Sequence, residues 1–259
     1  MGTHSASPYA GASVLQRGSL LEEAIGAAIL LHGRGGSAKD SLTLEGELRL
    51  PGVGFLAPRV VGHSWYPSSF LAPIESNEPW LTSALEIVHA LTRRCAAAGI
   101  DTKHVAIVGF SQGACLACEF IARYPRRYAA LVAFTGGLFG PIGSDLRHAA
   151  GNLLGTPVLL SSGDPDPYVP WKRVQETAKA LTAMGAIVHA QRYPDRPHTI
   201  LPDELQAAQD LLEPVFRLPP DRQRRVASSL PNEGENTGLE INNLDTTLTK
   251  TTARSQQEL

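Results

Sequence analysis

The sequence is poor in cysteine, and its three cysteines exclude the common cysteine-based architectures. Cys95, Cys115 and Cys118 are odd in number, so they do not provide the paired disulfide framework that holds small secreted domains together. Cys115 and Cys118 have C-x-x-C spacing, but no second such pair and no paired histidine motif accompanies them, so zinc is not expected. One helical turn apart, these two are expected to be small core residues, with a redox pair as the alternative.

The chain also lacks a strong net charge, long basic runs and long apolar runs. Its 259 residues carry a formal net charge of −2, with a pI near 6.4, which predicts no nucleic-acid partner. The first strongly apolar run, Ile25 to Leu31, follows Glu22 and Glu23 and is too short to span a bilayer. No charged-then-apolar leader precedes it. We therefore expect no stable membrane insertion and, by default, a cytoplasmic location. A homodimer is compatible with the sequence.

Aromatic residues are absent after Phe216, and this absence divides the chain. The sequence beyond it is rich in Pro, Asn, Thr and Gln and can bury too little apolar surface to offset chain entropy. Residues 219–259 are therefore predicted to form a disordered tail. Residues 1–19 mix Gly, Ser and Ala without a sustained period and are predicted to form a flexible N-terminal arm. The remainder, 20–218, is long enough for one globular domain.

Within that domain, short β-rich segments alternate with segments of helical period. The predicted strands are 27–33, 53–58, 104–110, 130–136, 156–163 and 186–194. The predicted helices are about 79–99, 112–123, 171–185 and 202–216. In the first helix, Leu81, Leu85, Val88 and Leu91 recur at three- and four-residue steps. This alternation predicts a mostly parallel, doubly wound α/β sheet flanked by helices, with functional groups on loops at the carboxyl ends of the strands.

A serine between two glycines follows the third predicted strand. The stretch VGFSQGACLA, residues 108–117, contains G-x-S-x-G and places Ser111 between a strand and a helix. A tight strand-to-helix turn projects the serine hydroxyl above the sheet edge and leaves no room for side chains at Gly109 and Gly113. The helix N-terminus behind it favours a developing anion. Ser111 is a candidate nucleophile, and a serine cap in a glycine-bounded turn is the alternative.

A serine nucleophile needs a general base, which is itself oriented by a carboxylate. With a nucleophile at such a turn, the expected chain order is serine, acid, histidine, each after a later strand. The strand 156–163 is followed by Asp164 and Asp166, and the strand 186–194 is followed by His198. His198 is therefore the candidate base, while either aspartate could orient it.

The glycine-rich loop after the first predicted strand supplies candidate donors for an oxyanion. In LLHGRGGS, residues 30–37, the glycines let the backbone turn its amides inward. The predicted donors are the N–H of Arg34 and the N–H of Gln112, the residue after the serine. Residues 33–38 also fit a loose dinucleotide fingerprint, but that requires an acid after the next strand, where VGFLAPRVV has none. Neither a cofactor nor a metal is predicted.

Five motifs now carry a family resemblance. LLHGRGGSAKD, FLAPRVVGHSWYP, GFSQGACLA, GDPDPYVP and the late histidine resemble the phospholipase/carboxylesterase family of α/β-hydrolases, which includes acyl-protein thioesterases. The resemblance covers residues 24–216 and implies the α/β-hydrolase fold and hydrolysis of carboxylic esters, in some members thioesters, without a cofactor. The family's acid lies in G-x-x-D-x-x-V-P, which selects Asp166. The family's histidine usually follows a glycine, whereas Pro197 precedes His198 here.

Aromatic residues cluster in and just beyond the loop after the second predicted strand. Trp65, Tyr66, Phe70 and Trp80 are candidates for lining a pocket that takes an acyl or aryl group, and covering the sheet is their alternative role. No long apolar insertion that would form a large lid is present. We therefore expect a hydrolase of small soluble esters rather than a lipase that acts at a lipid interface. Thioesters and lysophospholipids are further candidate substrates.

The sequence leaves two alternatives open. The Arg34 side chain could favour acidic substrates, because a guanidinium offers a charged, planar set of donors, or it could pair with an acid such as Asp40. At the level of function, the alternative to a serine esterase is a catalytically silent hydrolase-like protein that only binds a ligand.

Overall fold

The computed structural model describes residues 8–9, 11–146, 151–217 and 239–241, and a single sheet forms its centre. The strands are β1 (Ser13–Gly18), β2 (Gly26–Leu31), β3 (Val53–Arg59), β4 (Val105–Phe110), β5 (Ala130–Phe134), β6 (Pro157–Asp164), β7 (Ile187–Pro194) and β8 (Leu239–Ile241). They lie in the order β7-β6-β5-β4-β2-β3-β1-β8. The six strands from β2 to β7 pair in parallel, and β1 is antiparallel to both β3 and β8.

Helices cover both faces of this sheet. They are α1 (Ala38–Leu48), α2 (Trp80–Ala97), α3 (Gln112–Arg123), α4 (Trp171–Ala183) and α5 (Pro202–Leu212). The buried side chains of α2, α3 and α4 belong to one apolar cluster, and those of α1 and α5 belong to a second. Strand β4 alternates between the two, with Ile107 in the first and Val108 in the second, as expected for a strand covered on both faces. The predicted doubly wound, α/β-hydrolase-like fold is confirmed.

The prediction of a flexible N-terminal arm is wrong for the part of the arm that forms β1. Its six residues pair with β3 from Ser13 opposite Arg59 to Gly18 opposite Gly54. Val14 is fully buried in the same cluster as α2 and α3. Backbone pairing with β3 and the burial of a few apolar side chains are enough to order this segment, although its sequence has no sustained hydrophobic period. The domain therefore begins before residue 20.

The predicted disordered tail is wrong at one short stretch. Leu239–Ile241 forms β8 on the outer edge of β1, where Val14 lies opposite Ile241. Glu240 pairs with Arg59 of β3 and accepts a hydrogen bond from the Ser13 hydroxyl. The rest of the predicted tail, and residues 1–7 and 10 of the predicted arm, lie outside the described residues.

No helix within the described ranges is long and apolar enough to cross a membrane. The same ranges contain no group of three or more His, Cys, Asp or Glu side chains that could hold a metal ion.

Candidate active site

Ser111 occupies a strained turn between β4 and α3. Its backbone has φ 52° and ψ −115°, a combination that a residue with a side chain rarely adopts. A Cβ atom on Gly109 would lie 2.4 Å from the backbone of Gly113, and one on Gly113 would lie 2.1 Å from Leu31 O. Both contacts are too short for any side chain, so the two glycines allow the turn that lifts the Ser111 hydroxyl above the sheet.

The three residues predicted as nucleophile, acid and base lie together at the carboxyl ends of three strands. Ser111 follows β4, Asp166 follows β6, and His198 follows β7. His198 Nε2 lies 2.8 Å from Ser111 Oγ, and His198 Nδ1 lies 2.9 Å from Asp166 Oδ2. A continuous hydrogen-bonded chain therefore runs from the hydroxyl to the carboxylate. Ser111 and His198 are 87 positions apart in sequence, and the parallel sheet brings them together.

Asp166, and not Asp164, contacts the histidine. The Asp166 side chain is fully buried, and its Oδ1 accepts hydrogen bonds from the backbone N–H groups of Tyr168 and Val169, each at 2.9 Å. Asp164 instead forms an ion pair with the half-exposed side chain of Arg192. Of the two candidate aspartates, Asp166 is therefore the one that the structure brings to His198.

The environment of Asp166 favours its ionised form. Burial acts to raise the pKa of this carboxyl, but the hydrogen bond to His198 and the two backbone N–H donors outweigh burial, so the pKa lies below its usual value. An ionised carboxylate at Nδ1 keeps the proton of the neutral imidazole on that nitrogen. Nε2 is thereby left as the acceptor that faces Ser111.

The glycine-rich loop after β2 lies against the serine turn. Gly33 and Arg34 border the same cavity as Ser111 and Gln112. His32 has a structural role in this loop, because its Nδ1 lies 2.8 Å from Gly33 O and its ring packs against Trp65 at 4.7 Å.

The Arg34 guanidinium does not pair with Asp40. Its Nη1 donates to Ser64 Oγ at 3.1 Å, and its Nη2 donates to Tyr66 O and Ser68 O at 2.9 and 3.0 Å. Asp40 is instead occupied at the start of α1, where its carboxylate accepts from the N–H and hydroxyl of Ser37. Arg34 thus holds the loop that follows β3 against the loop that follows β2.

The Gln112 side chain fixes the same loop from the other side. Its Oε1 accepts from Trp65 N at 2.9 Å, and its Nε2 donates to Tyr66 O at 2.8 Å and to Ser64 Oγ at 3.1 Å. Sequence reasoning assigned Gln112 only its backbone N–H. Its side-chain role depends on two distant loops meeting, which no local pattern predicts.

A cavity of about 660 Å³ opens at Ser111 and His198. Of the four aromatic residues predicted to line a pocket, Tyr66 and Phe70 do so, and Leu71 and Val169 add apolar surface beside them. Phe139 supports this wall from behind, with its ring 4.7 Å from Tyr66 and 6.2 Å from Phe70.

The other two aromatic predictions are wrong. Trp65 is fully buried under the loop, and its indole N–H donates to His32 O at 2.8 Å, so it covers the core. Trp80 is the first residue of α2, is 41% exposed and does not border the cavity. Side chains at adjacent loop positions point in different directions, so aromatic residues that are close in sequence do not all line the same wall of the cavity.

Two aromatic residues that sequence reasoning did not select flank the histidine. The Phe110 ring lies 5.1 Å from the His198 ring, and the Tyr168 ring meets it edge-on at 4.9 Å. Both residues also border the cavity. Their positions, one before the serine and two after the acid, were a usable signal, because neighbours of site residues on tight turns share the same sheet edge.

The cysteines behave as small core residues. Cys95, Cys115 and Cys118 are free and buried. Burial raises the pKa of the Cys115 thiol to about 12, although this residue borders the cavity one helical turn beyond Ser111. The thiol is therefore protonated near neutral pH and is not a competing nucleophile.

Comparison with known proteins identifies the family of this chain. Residues 21–215 match the family model described as phospholipase/carboxylesterase. The chain is similar to the crystal structure of a phospholipase/carboxylesterase from Dyadobacter fermentans, with 40% identity and a TM-score of 0.75, over 82% of this chain and 98% of that one.

Curated relatives agree over shorter segments. The chain is 30% identical over 138 residues to a probable SOBER1-like carboxylesterase of Arabidopsis thaliana, covering 53% of this chain and 52% of the relative. It is 28% identical over 155 residues to a probable carboxylesterase of Oryza sativa subsp. japonica, covering 58% and 57%. The matches thus span about half the length of these relatives. Since the family model matches well over half of the residues, the chain belongs to the phospholipase/carboxylesterase family.

Proposed function

We propose that the protein is a serine carboxylic-ester hydrolase that works through an acyl-enzyme. The observation that carries the proposal is the unbroken chain of hydrogen bonds from Ser111 through His198 to Asp166, with the Ser111 hydroxyl at the edge of an open cavity. A buried carboxylate, an imidazole and a hydroxyl on a strained turn, in this order of contact, match the needs of nucleophilic acyl transfer.

In the first half of the reaction, Ser111 Oγ attacks the ester carbonyl carbon and passes its proton to His198 Nε2. The imidazolium that forms is stabilised by Asp166, to which Nδ1–H donates. Collapse of the tetrahedral intermediate breaks the bond to the alcohol, which takes the proton from Nε2. An acyl group then remains on Ser111.

The oxyanion of the intermediate is assigned to two backbone donors. Gln112 is the first residue of α3, where the N–H has no acceptor within the helix, and the positive end of the helix dipole adds to its effect. In the loop after β2, the N–H groups of Gly35 and Gly36 already donate to His63 O and Gly33 O. We therefore assign the second donor to the N–H of Arg34.

In the second half, a water molecule replaces the alcohol. It gives a proton to His198 Nε2 and attacks the acyl carbonyl through the same oxyanion geometry. The carboxylic acid leaves, and the proton returns to Ser111 Oγ. No cofactor is needed at any step.

The cavity favours esters whose acyl or aryl group is apolar and of moderate size. Tyr66, Phe70, Leu71 and Val169 provide an apolar lining, and a volume of about 660 Å³ suits a small molecule. Thioesters and lysophospholipids present the same type of acyl carbonyl and belong in the same substrate series.

The proposal is tested by assaying p-nitrophenyl esters of increasing acyl length with the wild-type protein and two variants. Ser111→Ala should abolish hydrolysis above background. Ser19→Ala is the matched control, because Ser19 lies beside the amino end of β3, at the opposite edge of the sheet from the strand ends that carry the site. A wild-type protein that hydrolyses none of these esters would favour the alternative of a ligand-binding protein. A Ser111→Ala variant as active as the control would contradict the assignment of Ser111 as the nucleophile.

A further inference from the structure

The loop that carries His198 contains a buried arginine that the proposed reaction does not use. Arg196 is only 4% exposed, although it lies in the turn between β7 and α5. It packs over Gly163 at the end of β6, where an added Cβ would lie 2.9 Å from Arg196 O and 3.6 Å from Arg196 Cβ. The glycine of the G-x-x-D-x-x-V-P pattern therefore leaves the space that this arginine occupies.

One nitrogen of Arg196 binds the backbone on both sides of the histidine. Nη1 donates to Pro197 O at 2.9 Å and also to Thr199 O. Nη2 donates to the hydroxyl of Thr135, a buried residue just after β5. The guanidinium thus ties the two carbonyl groups that flank His198 to the adjacent strand ends.

Glu204 compensates the buried charge. Arg196 Nε lies 3.2 Å from Glu204 Oε2, as an ion pair without the alignment of a hydrogen bond. Glu204 is fully buried, its Oε1 accepts from Ser161 Oγ at 2.6 Å, and its Oε2 accepts from Leu201 N at 2.9 Å. A buried guanidinium is costly unless it is paired in this way, so both partners are needed to place a rigid donor beneath the histidine.

We propose that Arg196, with Glu204 as its counterion, is a positioning residue that fixes the backbone of His198. The inference rests on the proposed function, since it concerns the same histidine. His198 must keep Nε2 near Ser111 Oγ and Nδ1 near Asp166 Oδ2 at once. In this chain Pro197 stands where the family pattern has glycine, and the arginine supplies fixed donors to the carbonyls on either side of the histidine. A displacement of about 1 Å at such a group costs about a hundredfold in rate.

The first test compares two conservative variants, Arg196→Lys and Arg173→Lys. Arg173 is the matched control, because it is also fully buried, donates to the carbonyls of Leu138, Gly140 and Pro141, and pairs with Glu176. Both substitutions retain the charge and remove the planar set of donors. A lysine at position 196 has a single side-chain nitrogen, whereas Arg196 makes its contacts through three nitrogens.

Arg196→Lys should lower kcat on a p-nitrophenyl ester about tenfold to a hundredfold, with KM changed by less than about threefold. Arg173→Lys should keep the wild-type kcat and KM. Wild-type values in Arg196→Lys, or equal changes in Arg173→Lys, would overturn the inference.

A double variant separates positioning from stability. Arg196→Met with Glu204→Gln removes both charges and leaves an amide that can still accept from Leu201 N, so the melting temperature should exceed that of Arg196→Met alone. The kcat should nevertheless stay as low as in Arg196→Lys. Recovery of the wild-type kcat would show that Arg196 acts through stability only and would overturn the inference. An inactive wild-type protein would instead contradict the proposed function, so the two failures are distinguishable.

Discussion

At the scale of single residues, the Asp166 carboxylate carries the most specific expectation. Asp166→Asn keeps the size of the side chain but removes the charge that stabilises the imidazolium and fixes its tautomer. We expect kcat to fall about ten-thousandfold, the scale reported for this change in a serine protease triad. Asp164→Asn is the matched control, since Asp164 pairs with the half-exposed Arg192 and should change kcat little. A larger loss from Asp164→Asn would reverse the assignment.

The lowered pKa of Asp166 also links this residue to stability. Its folded pKa lies below the unfolded value of about 3.9, so its contribution to stability is present above that pH and is lost as pH falls through the folded value. The melting temperature of Asp166→Asn should therefore fall short of the wild-type value near neutral pH, and the gap should narrow below about pH 4. A gap that stayed constant in acid would contradict this account.

The Arg34 side chain is expected to support the loop after β3 without selecting acidic substrates. Its Nη atoms already donate to Ser64, Tyr66 and Ser68, so Arg34→Leu should slow neutral and carboxylate-bearing esters alike. A direct bond to a substrate carboxylate would be worth about 1.5–3 kcal/mol, a selective loss of tenfold or more in kcat/KM. Measuring kcat/KM for a neutral ester and for its carboxylate-bearing counterpart distinguishes loop support from substrate selection. Arg17→Leu on β1 is the control.

Residue-level patterns predicted the proposed nucleophile, acid and base because each has a local cause. Gly109 and Gly113 mark the turn around Ser111, and the residues that follow β6 and β7 reach the same sheet edge. Burial of Trp65 and exposure of Trp80 depend on how the loop folds over the core, which no local pattern encodes. The contacts that Arg196 makes outside its own loop were equally out of reach, since they involve Thr135 after β5, Gly163 in β6 and Glu204 in α5.

At the scale of elements, the sequence predicted the six parallel strands within a few residues but missed α1 and β1. Ser37 and Asp40 form a reciprocal cap at the start of α1, and this S-x-x-D pattern before a leucine-rich stretch was a usable helix signal. β1 has only two apolar residues, Val14 and Leu15, and it is ordered by pairing with β3. Such an edge strand owes its existence to its neighbour more than to its own composition.

The short strand β8 leads to a prediction about the C-terminal segment. Removing residues 218–259 should leave kcat and KM unchanged, because β8 lies four strand positions from β4, about 19 Å at the usual strand spacing. The melting temperature should fall only slightly, since three residues of pairing and the exposed Arg59–Glu240 ion pair are lost. Glu240→Ala isolates the ion pair. A large loss of activity on truncation would show that the segment contributes to the site.

At the scale of the whole molecule, the fold brings together groups that are far apart in sequence. Parallel strands β4, β6 and β7 direct Ser111, Asp166 and His198 to one edge of the sheet, and the loops after β2 and β3 complete the cavity there. The mostly parallel sheet, and the order of serine, acid and histidine along the chain, could be predicted from the motifs and the alternation of strands and helices. The cavity wall could not, because its shape depends on how the hydrogen bonds of Arg34 and Gln112 place the loop after β3.

The central claim, that Ser111 is an activated nucleophile, is tested most directly by a fluorophosphonate probe and intact-protein mass spectrometry. Attack by Ser111 Oγ on phosphorus expels fluoride and leaves a stable adduct. We predict a single adduct on the wild-type protein and on Ser19→Ala, located on Ser111 by peptide mapping, and none on Ser111→Ala. An unlabelled wild-type protein, or an adduct that persists in Ser111→Ala, would contradict the account.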